Sequence, residues 1–86
     1  MNQTTNKVYL FRNMELVFRV EGSLSIGMEA AHRTGQTGDI CLTHSYMGAY
    51  RMYYWRGKKK HYWRPVSGKK KPELLASLKM ALILQS

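Results

Sequence analysis

The sequence is short of acidic residues, of cysteine and of long apolar runs, and each shortage narrows what the chain can do. Its single cysteine, Cys41, has no partner for an internal disulfide and cannot be half of a two-cysteine metal clamp. The five Asp and Glu residues stand singly, which argues against a nuclease that holds two metal ions. No apolar run approaches the roughly 18 residues of a membrane span, and residues 1–7 lack the apolar core of a signal peptide. We therefore expect a cytoplasmic protein with no metal, no cofactor and no membrane contact.

The charge that is present is basic, and it is confined to one half of the chain. The 86 residues include 14 Lys and Arg, which gives a net charge of +9. Residues 1–48 hold four cations and four acids, whereas residues 49–86 hold ten cations and one acid, Glu73. Aromatic residues make up 12% of the sequence, so the composition is that of a folded domain rather than of a disordered basic tail. The basic half therefore predicts a surface for an anionic partner.

The length allows one small domain, in which four parts can be distinguished. A chain of this size buries only about 60–65% of the surface it exposes when unfolded, so its core is small. Residues 1–7 are predicted to be a flexible terminus and residues 8–48 a neutral β scaffold. Residues 49–72 are predicted to form a basic aromatic hairpin and loop, and residues 73–85 a C-terminal helix. The predicted class is α+β: a small twisted antiparallel sheet of about five or six strands with one C-terminal amphipathic helix packed on one face.

Alternating apolar residues predict three strands in the neutral half. In residues 15–21 apolar side chains occupy every second position, which is typical of a half-buried strand. Residues 8–12 are predicted to pair with it, with Asn13 in the turn between the two. A third strand is predicted over residues 24–30, where the alternation recurs, although residues 28–32 could instead form a helical turn.

Two aromatic runs on either side of Gly57 predict a β-hairpin. Aromatic residues favour strands, and Gly57 with the lysines after it supplies the turn. A turn of two or of four residues leaves the same side chains on the same faces, because the two registers differ by an even number of residues. One predicted face carries Tyr50, Met52, Tyr54, His61 and Trp63, and the other carries Arg51, Tyr53, Trp55, Lys60, Tyr62 and Arg64. We expect the first face to be core and the second to be exposed.

An amphipathic helix is predicted from Pro72. Proline at the first helical position followed by Glu73 is a favourable start, and the apolar stripe that follows spans about three turns. The stripe consists of Leu74, Leu75, Leu78, Ala81 and Leu82. We expect its leucines to cover the core face of the hairpin. Further apolar residues, Met80, Ile83 and Leu84, broaden the stripe and leave a homodimer through this helix open.

The predicted exposed face of the hairpin combines the two ingredients of nucleic-acid binding. Cations neutralise phosphates and release counterions, and aromatic rings stack on unpaired bases for about 1–3 kcal/mol each. The leading hypothesis is a small protein that binds DNA or RNA without catalytic activity. The predicted phosphate contacts are Arg51, Arg56, Lys58, Lys59, Lys60, Arg64, Lys69, Lys70 and Lys71, and the predicted stacking residues are Tyr53, Trp55 and Tyr62.

Two other functions would use the same half of the chain and stay open. Tyr, Trp and Arg are enriched at protein hot spots, so the face could dock on an acidic protein, as an inhibitor or adaptor of the kind that mobile elements encode. A metal-free ribonuclease could use His61, with His44 or His32 as a second acid. A metal site at Cys41 and His44 is disfavoured, because residues three apart on a strand point to opposite faces.

Overall fold

In a computed structural model of the chain, one antiparallel sheet carries a helix on each of its faces. The structure describes residues 5–57 and 63–85. Within these residues the elements are β1 (Asn6–Arg12), β2 (Glu15–Gly22), α1 (Leu24–Thr34), β3 (Ile40–His44), β4 (Tyr50–Trp55), β5 (Trp63–Pro65) and α2 (Lys70–Leu84). The sheet order is β2-β1-β3-β4-β5, and every neighbouring pair is antiparallel. The predicted α+β class, with a small antiparallel sheet and a C-terminal helix, is confirmed.

Strands β1 and β2 form a hairpin whose turn is Asn13-Met14. Both residues have positive φ, 53° and 64°, which is the conformation of a type I′ turn and matches the right-handed twist of the two strands. Asparagine tolerates this conformation, whereas a long side chain such as that of Met14 rarely adopts it. The predicted hairpin with Asn13 in its turn is confirmed.

The segment predicted as a third strand is a helix instead. Helix α1 begins after Ser23, whose hydroxyl accepts hydrogen bonds from the backbone N–H groups of the second and third helical residues. This N-cap satisfies two of the four N–H groups that a helix start leaves unpaired. The residues that α1 buries are Gly27 and Ala31, four positions apart. Helical spacing therefore decides the packing here, and the alternation that begins at Leu24 is incidental.

Each helix closes a separate core on its own face of the sheet. Under α2 the buried residues are Tyr9, Phe11, Ile40, Leu42, Met52, Val66 and Leu78. Under α1 they are Val8, Leu10, Ala31 and Cys41. Strands β1 and β3 lie inside the sheet and supply alternate residues to both cores.

Helix α2 begins at Lys70, two residues before the predicted start at Pro72. The predicted stripe of Leu74, Leu75, Leu78, Ala81 and Leu82 is the face that packs on the sheet. Its cover over Tyr50 and Met52 is confirmed, whereas Tyr54 remains 38% exposed. Neither α1 nor α2, the helices of the described residues, is long and apolar enough to cross a membrane.

The β4–β5 hairpin has a register that differs from both predicted ones. Trp55 is paired with Trp63, and Tyr54 with Arg64. The seven residues 56–62 separate the paired tryptophans. Because this number is odd, whereas the predicted turns have two or four residues, each residue of β5 lies on the opposite face from the predicted one. Directly opposite residues share a face. Trp63 therefore lies on the α1 face with Trp55, and Arg64 on the α2 face with Tyr54, so both were predicted on the wrong face.

The loop between α1 and β3 is held by a buried carboxylate. Asp39 is 2% exposed, and its two oxygens accept hydrogen bonds from Arg12 Nε at 3.0 Å and Arg12 Nη2 at 2.8 Å. A third hydrogen bond comes from the backbone N–H of Gln36 at 2.9 Å. This bidentate pair ties the end of β1 to the loop that leads into β3.

We expect Asp39→Ala to lower the free energy of unfolding by about 2 kcal/mol, because the loop loses three hydrogen bonds to a charged acceptor. Urea denaturation followed by circular dichroism measures the loss. Glu29→Ala is the control, because the exposed Glu29–Arg33 pair at 3.2 Å contributes at most about 0.5 kcal/mol. Equal losses in the two variants would mean that the Asp39 pair contributes no more than a surface contact.

Candidate nucleic-acid interface

The order of the strands turns the charge asymmetry of the sequence into an asymmetry of the surface. Strands β1, β2 and β3 come from the neutral residues 1–48, and β4 and β5 come from the basic residues 49–86. Because the sheet order is β2-β1-β3-β4-β5, the neutral strands are contiguous and the basic strands form the opposite side. Helix α2 starts on the basic side, where Lys71 adjoins β4, and ends near Leu16 of β2.

Ion pairing among the described residues is confined to the neutral half. The pairs are Arg12–Asp39, Arg19–Glu21 and Arg33–Glu29. In the described part of the basic half, seven cations are exposed and have no described acid within ion-pair distance. One of them, Lys79 of α2, lies over the Tyr50 ring at 4.4 Å from its centroid. The other six are Arg51, Arg56, Arg64, Lys69, Lys70 and Lys71. These six side chains present their charge to solvent and to any anionic partner.

The six unpaired cations follow the β5 edge of the sheet, and we call them the basic edge. Arg56 lies just past the end of β4, and Arg64 lies in the middle of β5. Arg51 and Lys71 lie at the other end, where both line one depression beside Pro65. A short edge strand that contains proline is poorly suited to pairing with a further strand, so this edge stays open to other ligands. Of the predicted site residues, Lys58, Lys59, Lys60 and Tyr62 lie outside the described residues.

Part of the basic edge stands at the positive end of the α2 dipole. Lys69 is the N-cap residue and makes no side-chain capping hydrogen bond, and Lys70 and Lys71 are the first two helical residues. Aligned peptide dipoles place about half a positive charge at a helix N-terminus, where cations are unfavourable. Glu73 is the acidic residue of that first turn. An anion bound at the basic edge would relieve this repulsion.

Two of the three predicted stacking residues are described, and only Tyr53 lies at the surface. Trp55 is 3% exposed, and its ring lies 4.6 Å from that of Trp63 and 5.1 Å from that of His32. The backbone of Gly35 also lies against the indole. Contrary to the prediction, Trp55 is therefore a core residue whose ring is not available to stack on bases. Tyr53 is half-buried on the α1 face and lines a groove.

An open groove of about 620 Å³ lies between α1 and β4. It is lined by Leu24, Met28, Thr43, Ser45, Met47, Ala49, Arg51 and Tyr53, and we call it the α1–β4 groove. The groove exists because α1 packs on β1 and β2 and leaves part of the same face of β3 and β4 uncovered. Its volume falls within the range of about 300–1,000 Å³ that is typical of ligand sites, and most of its lining is apolar.

Arg51 and Tyr53 separate the α1–β4 groove from the depression at the basic edge. Both residues line the two concavities, and the depression is completed by Met52, Pro65, Val66 and Lys71. Among the residues that the structure describes, no acidic side chain lines either one. A ligand that occupies the groove can therefore extend past Arg51 to Lys71 and meet two cations on the way.

Of the three histidines that the ribonuclease alternative names, the two described ones, His32 and His44, lie on opposite faces of the sheet. His44 lies on the α2 face, where it stacks on Tyr50 with ring centroids 4.0 Å apart. Burial lowers the pKa of His44, and two neighbouring lysines add to the effect. His32 is carried by α1 on the opposite face, so the sheet separates it from His44. His61 lies outside the described residues.

Cys41 and His44 also lie on opposite faces, as their spacing predicts. Cys41 is buried in the core under α1, and its Sγ lies 3.6 Å from Met28 Sδ. Burial raises the pKa of the Cys41 thiol to about 12, so it stays protonated and is a poor nucleophile and metal ligand. Within residues 5–57 and 63–85, no three His, Cys, Asp or Glu side chains form a cluster that could hold a metal ion.

Outside β4, the residues that line the α1–β4 groove could hardly be identified from the sequence. Alternation places Met28 in a strand, and no local pattern points to Met47 or Thr43. The available signal was Ser23 directly before Leu24, which is a favourable N-cap for the helix that forms one wall.

Searches against protein-family models, curated proteins and solved structures found no match for this chain.

Proposed function

We propose that this protein binds nucleic acid in the cytoplasm without catalysing a reaction, and that the basic edge is the contact surface. The observation that carries the proposal is the row of six exposed cations with no ion-pair partner among the described residues. A polyanion fits such a row, because each Lys or Arg that neutralises a phosphate releases counterions. Arginine can in addition hold a phosphate through two parallel hydrogen bonds.

The neutral half supports the proposal by keeping the positive field on one side. Arg12, Arg19 and Arg33 are each paired with an acid. At physiological salt, exposed charges are screened over about 8–10 Å, so distant cations add little at the contact surface. The potential that would steer a polyanion therefore arises from the basic edge itself.

Replacement of Lys69, Lys70 and Lys71 by alanine is expected to weaken binding and to flatten its salt dependence. If four to six phosphates are contacted, log affinity falls with log salt at a slope of roughly −3 to −5. Loss of three contacts should reduce the magnitude of that slope by about 2–3. Fluorescence anisotropy with labelled duplex DNA, single-stranded DNA and RNA, at several salt concentrations, measures both quantities.

The matched control replaces Lys7, Arg19 and Arg33 of the neutral half by alanine, which removes the same number of charges from the net +9. If net charge alone governed binding, the two variants would bind alike. We expect the control to keep the wild-type slope. Salt-independent binding of the wild type, or equal slopes in the two triple variants, would rule out the basic edge as the contact surface.

An acidic protein surface is the second candidate partner, as it would be for an inhibitor or adaptor. The observation that favours it is the exposed Arg51 next to the half-buried Tyr53, because both residue types are enriched at protein hot spots. A stoichiometric protein partner that stays bound in nuclease-treated lysate at moderate salt would favour this candidate.

The ribonuclease alternative instead requires RNA cleavage that His61→Ala abolishes.

A homodimer through α2 also remains a proposal. Met80, Ile83 and Leu84 are 56%, 67% and 77% exposed. Together with Met14, which is 40% exposed in the β1–β2 turn, they leave an apolar surface at the end of the helix. This surface lies away from the basic edge, so self-association there would leave the cations accessible.

A further inference from the structure

We propose that the α1–β4 groove receives one unpaired base of a single-stranded nucleic acid, with the adjoining phosphates on Arg51 and Lys71. This inference rests on the proposed function and adds to it the kind of strand that is bound. A duplex keeps its bases stacked inside and can place one in a groove only after that base is unstacked and unpaired. The groove therefore selects for single strands.

A hydroxyl that is open to the groove favours a ligand with a polar edge. Thr43 lines the groove, and its hydroxyl is not among the buried side-chain groups of the described residues that lack a partner, so its oxygen is accessible there. The edge of a base carries donors and acceptors in its plane, so it can hydrogen-bond to this hydroxyl.

The walls of the groove suit the flat faces of that ligand. Met28 and Met47 contribute flexible thioether side chains, which adapt their shape and make favourable contacts with aromatic rings. Leu24 and Ala49 add apolar surface, and Tyr53 adds an aromatic ring. Base stacking on such walls tolerates any sequence, because every base has two π faces.

The positions of the cations suit the phosphates on either side of the base. Arg51 is the cross-strand partner of Thr43, so the guanidinium and the Thr43 hydroxyl belong to adjacent side chains on one face. Lys71 lies in the depression that Arg51 and Tyr53 share with the groove. A purely apolar ligand would leave Arg51 without a counter-charge, whereas a nucleotide matches the apolar walls, the hydroxyl and the cations together.

Ala49→Phe tests the inference by filling the groove. Ala49 is exposed, so the larger side chain should not prevent folding. We expect the affinity for a short labelled single-stranded oligonucleotide to fall about tenfold or more, because one stacked base is lost. Duplex affinity should stay within about twofold, because the basic edge is unchanged. Ala76→Phe on the exposed side of α2 is the matched control and should leave both affinities unchanged.

Thr43→Val gives a second, independent test, because it removes the hydroxyl and keeps the shape of the side chain. We expect single-strand affinity to fall about three- to tenfold, as for the loss of one hydrogen bond, and duplex affinity to stay the same. Circular dichroism and tryptophan fluorescence verify that the variant is folded. Unchanged single-strand affinity in both Thr43→Val and Ala49→Phe would overturn the groove as a base site.

The other outcomes separate this inference from the proposed function. Failure to bind any nucleic acid at low salt overturns both. Binding that depends on Lys69–Lys71 but is equal for single strands and duplexes, and is unaffected by Ala49→Phe, overturns only the base site. A nucleoside monophosphate that binds as tightly as the oligonucleotide would reveal a small-ligand site instead, and an acidic peptide that does so would reveal a protein-binding groove.

Discussion

Replacement of Trp55 by alanine is expected to lower the free energy of unfolding by about 3–5 kcal/mol. The indole is 3% exposed and contacts the rings of His32 on α1 and Trp63 on β5. Trp55 thus connects β4, α1 and β5. These three elements cannot all move inwards to fill the cavity that alanine would leave. A domain of this size has a total stability of about 5–15 kcal/mol, so the loss is a large share of it. Urea denaturation followed by circular dichroism measures the effect.

Tyr54→Ala is the matched control for Trp55→Ala. Tyr54 is the preceding residue, is also aromatic, lies on the other face and is 38% exposed. We expect its replacement to cost about 1 kcal/mol or less. If Trp55 were a stacking residue, Trp55→Ala would lose affinity for nucleic acid and keep its stability. As a core residue it should behave in the opposite way, and the folded fraction of Trp55→Ala should bind nucleic acid as the wild type does. Wild-type stability in Trp55→Ala would contradict its place in the core.

The features that the sequence predicted correctly depend on local pattern or on simple counting. The hairpin at Asn13 and the apolar stripe around Leu78 are periodic signals within a single element, and both are confirmed. The neutral and basic halves follow from counting charges, and the sheet order keeps them apart in space. The proposal of a basic surface therefore does not depend on the predicted faces of the hairpin residues, some of which were wrong.

The errors arose where a distant contact or a loop length decides the structure. No pattern in residues 56–62 determines whether the hairpin loop has an odd or an even number of residues, and this parity decides the faces of Trp63 and Arg64. Burial of Trp55 depends on contacts with α1, an element that was predicted as a strand. The α1–β4 groove could not be foreseen for the same reason, since one of its walls is that helix.

The candidate site consequently changes from one aromatic face into two adjoining parts. The expected face carried three stacking rings among its cations, whereas the described residues place one of those rings, Tyr53, at the boundary of a groove. Arg51 lines this groove, and the other cations of the basic edge lie beside it along the sheet edge rather than between the rings. The two proposals thereby place phosphate contacts and base contacts on different residues, so separate variants can test them.

Gly27 lies where α1 rests on β1, and Gly27→Ala is expected to lower the free energy of unfolding by about 2–3 kcal/mol. A Cβ at this position would lie 2.6 Å from Val8 Cβ and would overlap one of the methyl groups of Val8. Carbon atoms in contact prefer about 3.5–4.0 Å, so α1 would have to move outwards by about 1 Å. Val8 is fully buried within β1 and cannot yield. Overpacking therefore outweighs the gain of about 1 kcal/mol from the better helix propensity of alanine.

The position of α1 links this stability effect to the groove. Ile26→Ala is the control, because Ile26 is the adjacent residue and is 63% exposed, so its replacement should change stability by about 0.5 kcal/mol or less. Leu24 and Met28 belong to the same helix and line the α1–β4 groove. An outward shift of α1 should therefore weaken single-strand binding by the folded Gly27→Ala protein, while duplex binding at the basic edge is unchanged. Wild-type stability in Gly27→Ala would mean that α1 does not pack on β1 at this distance.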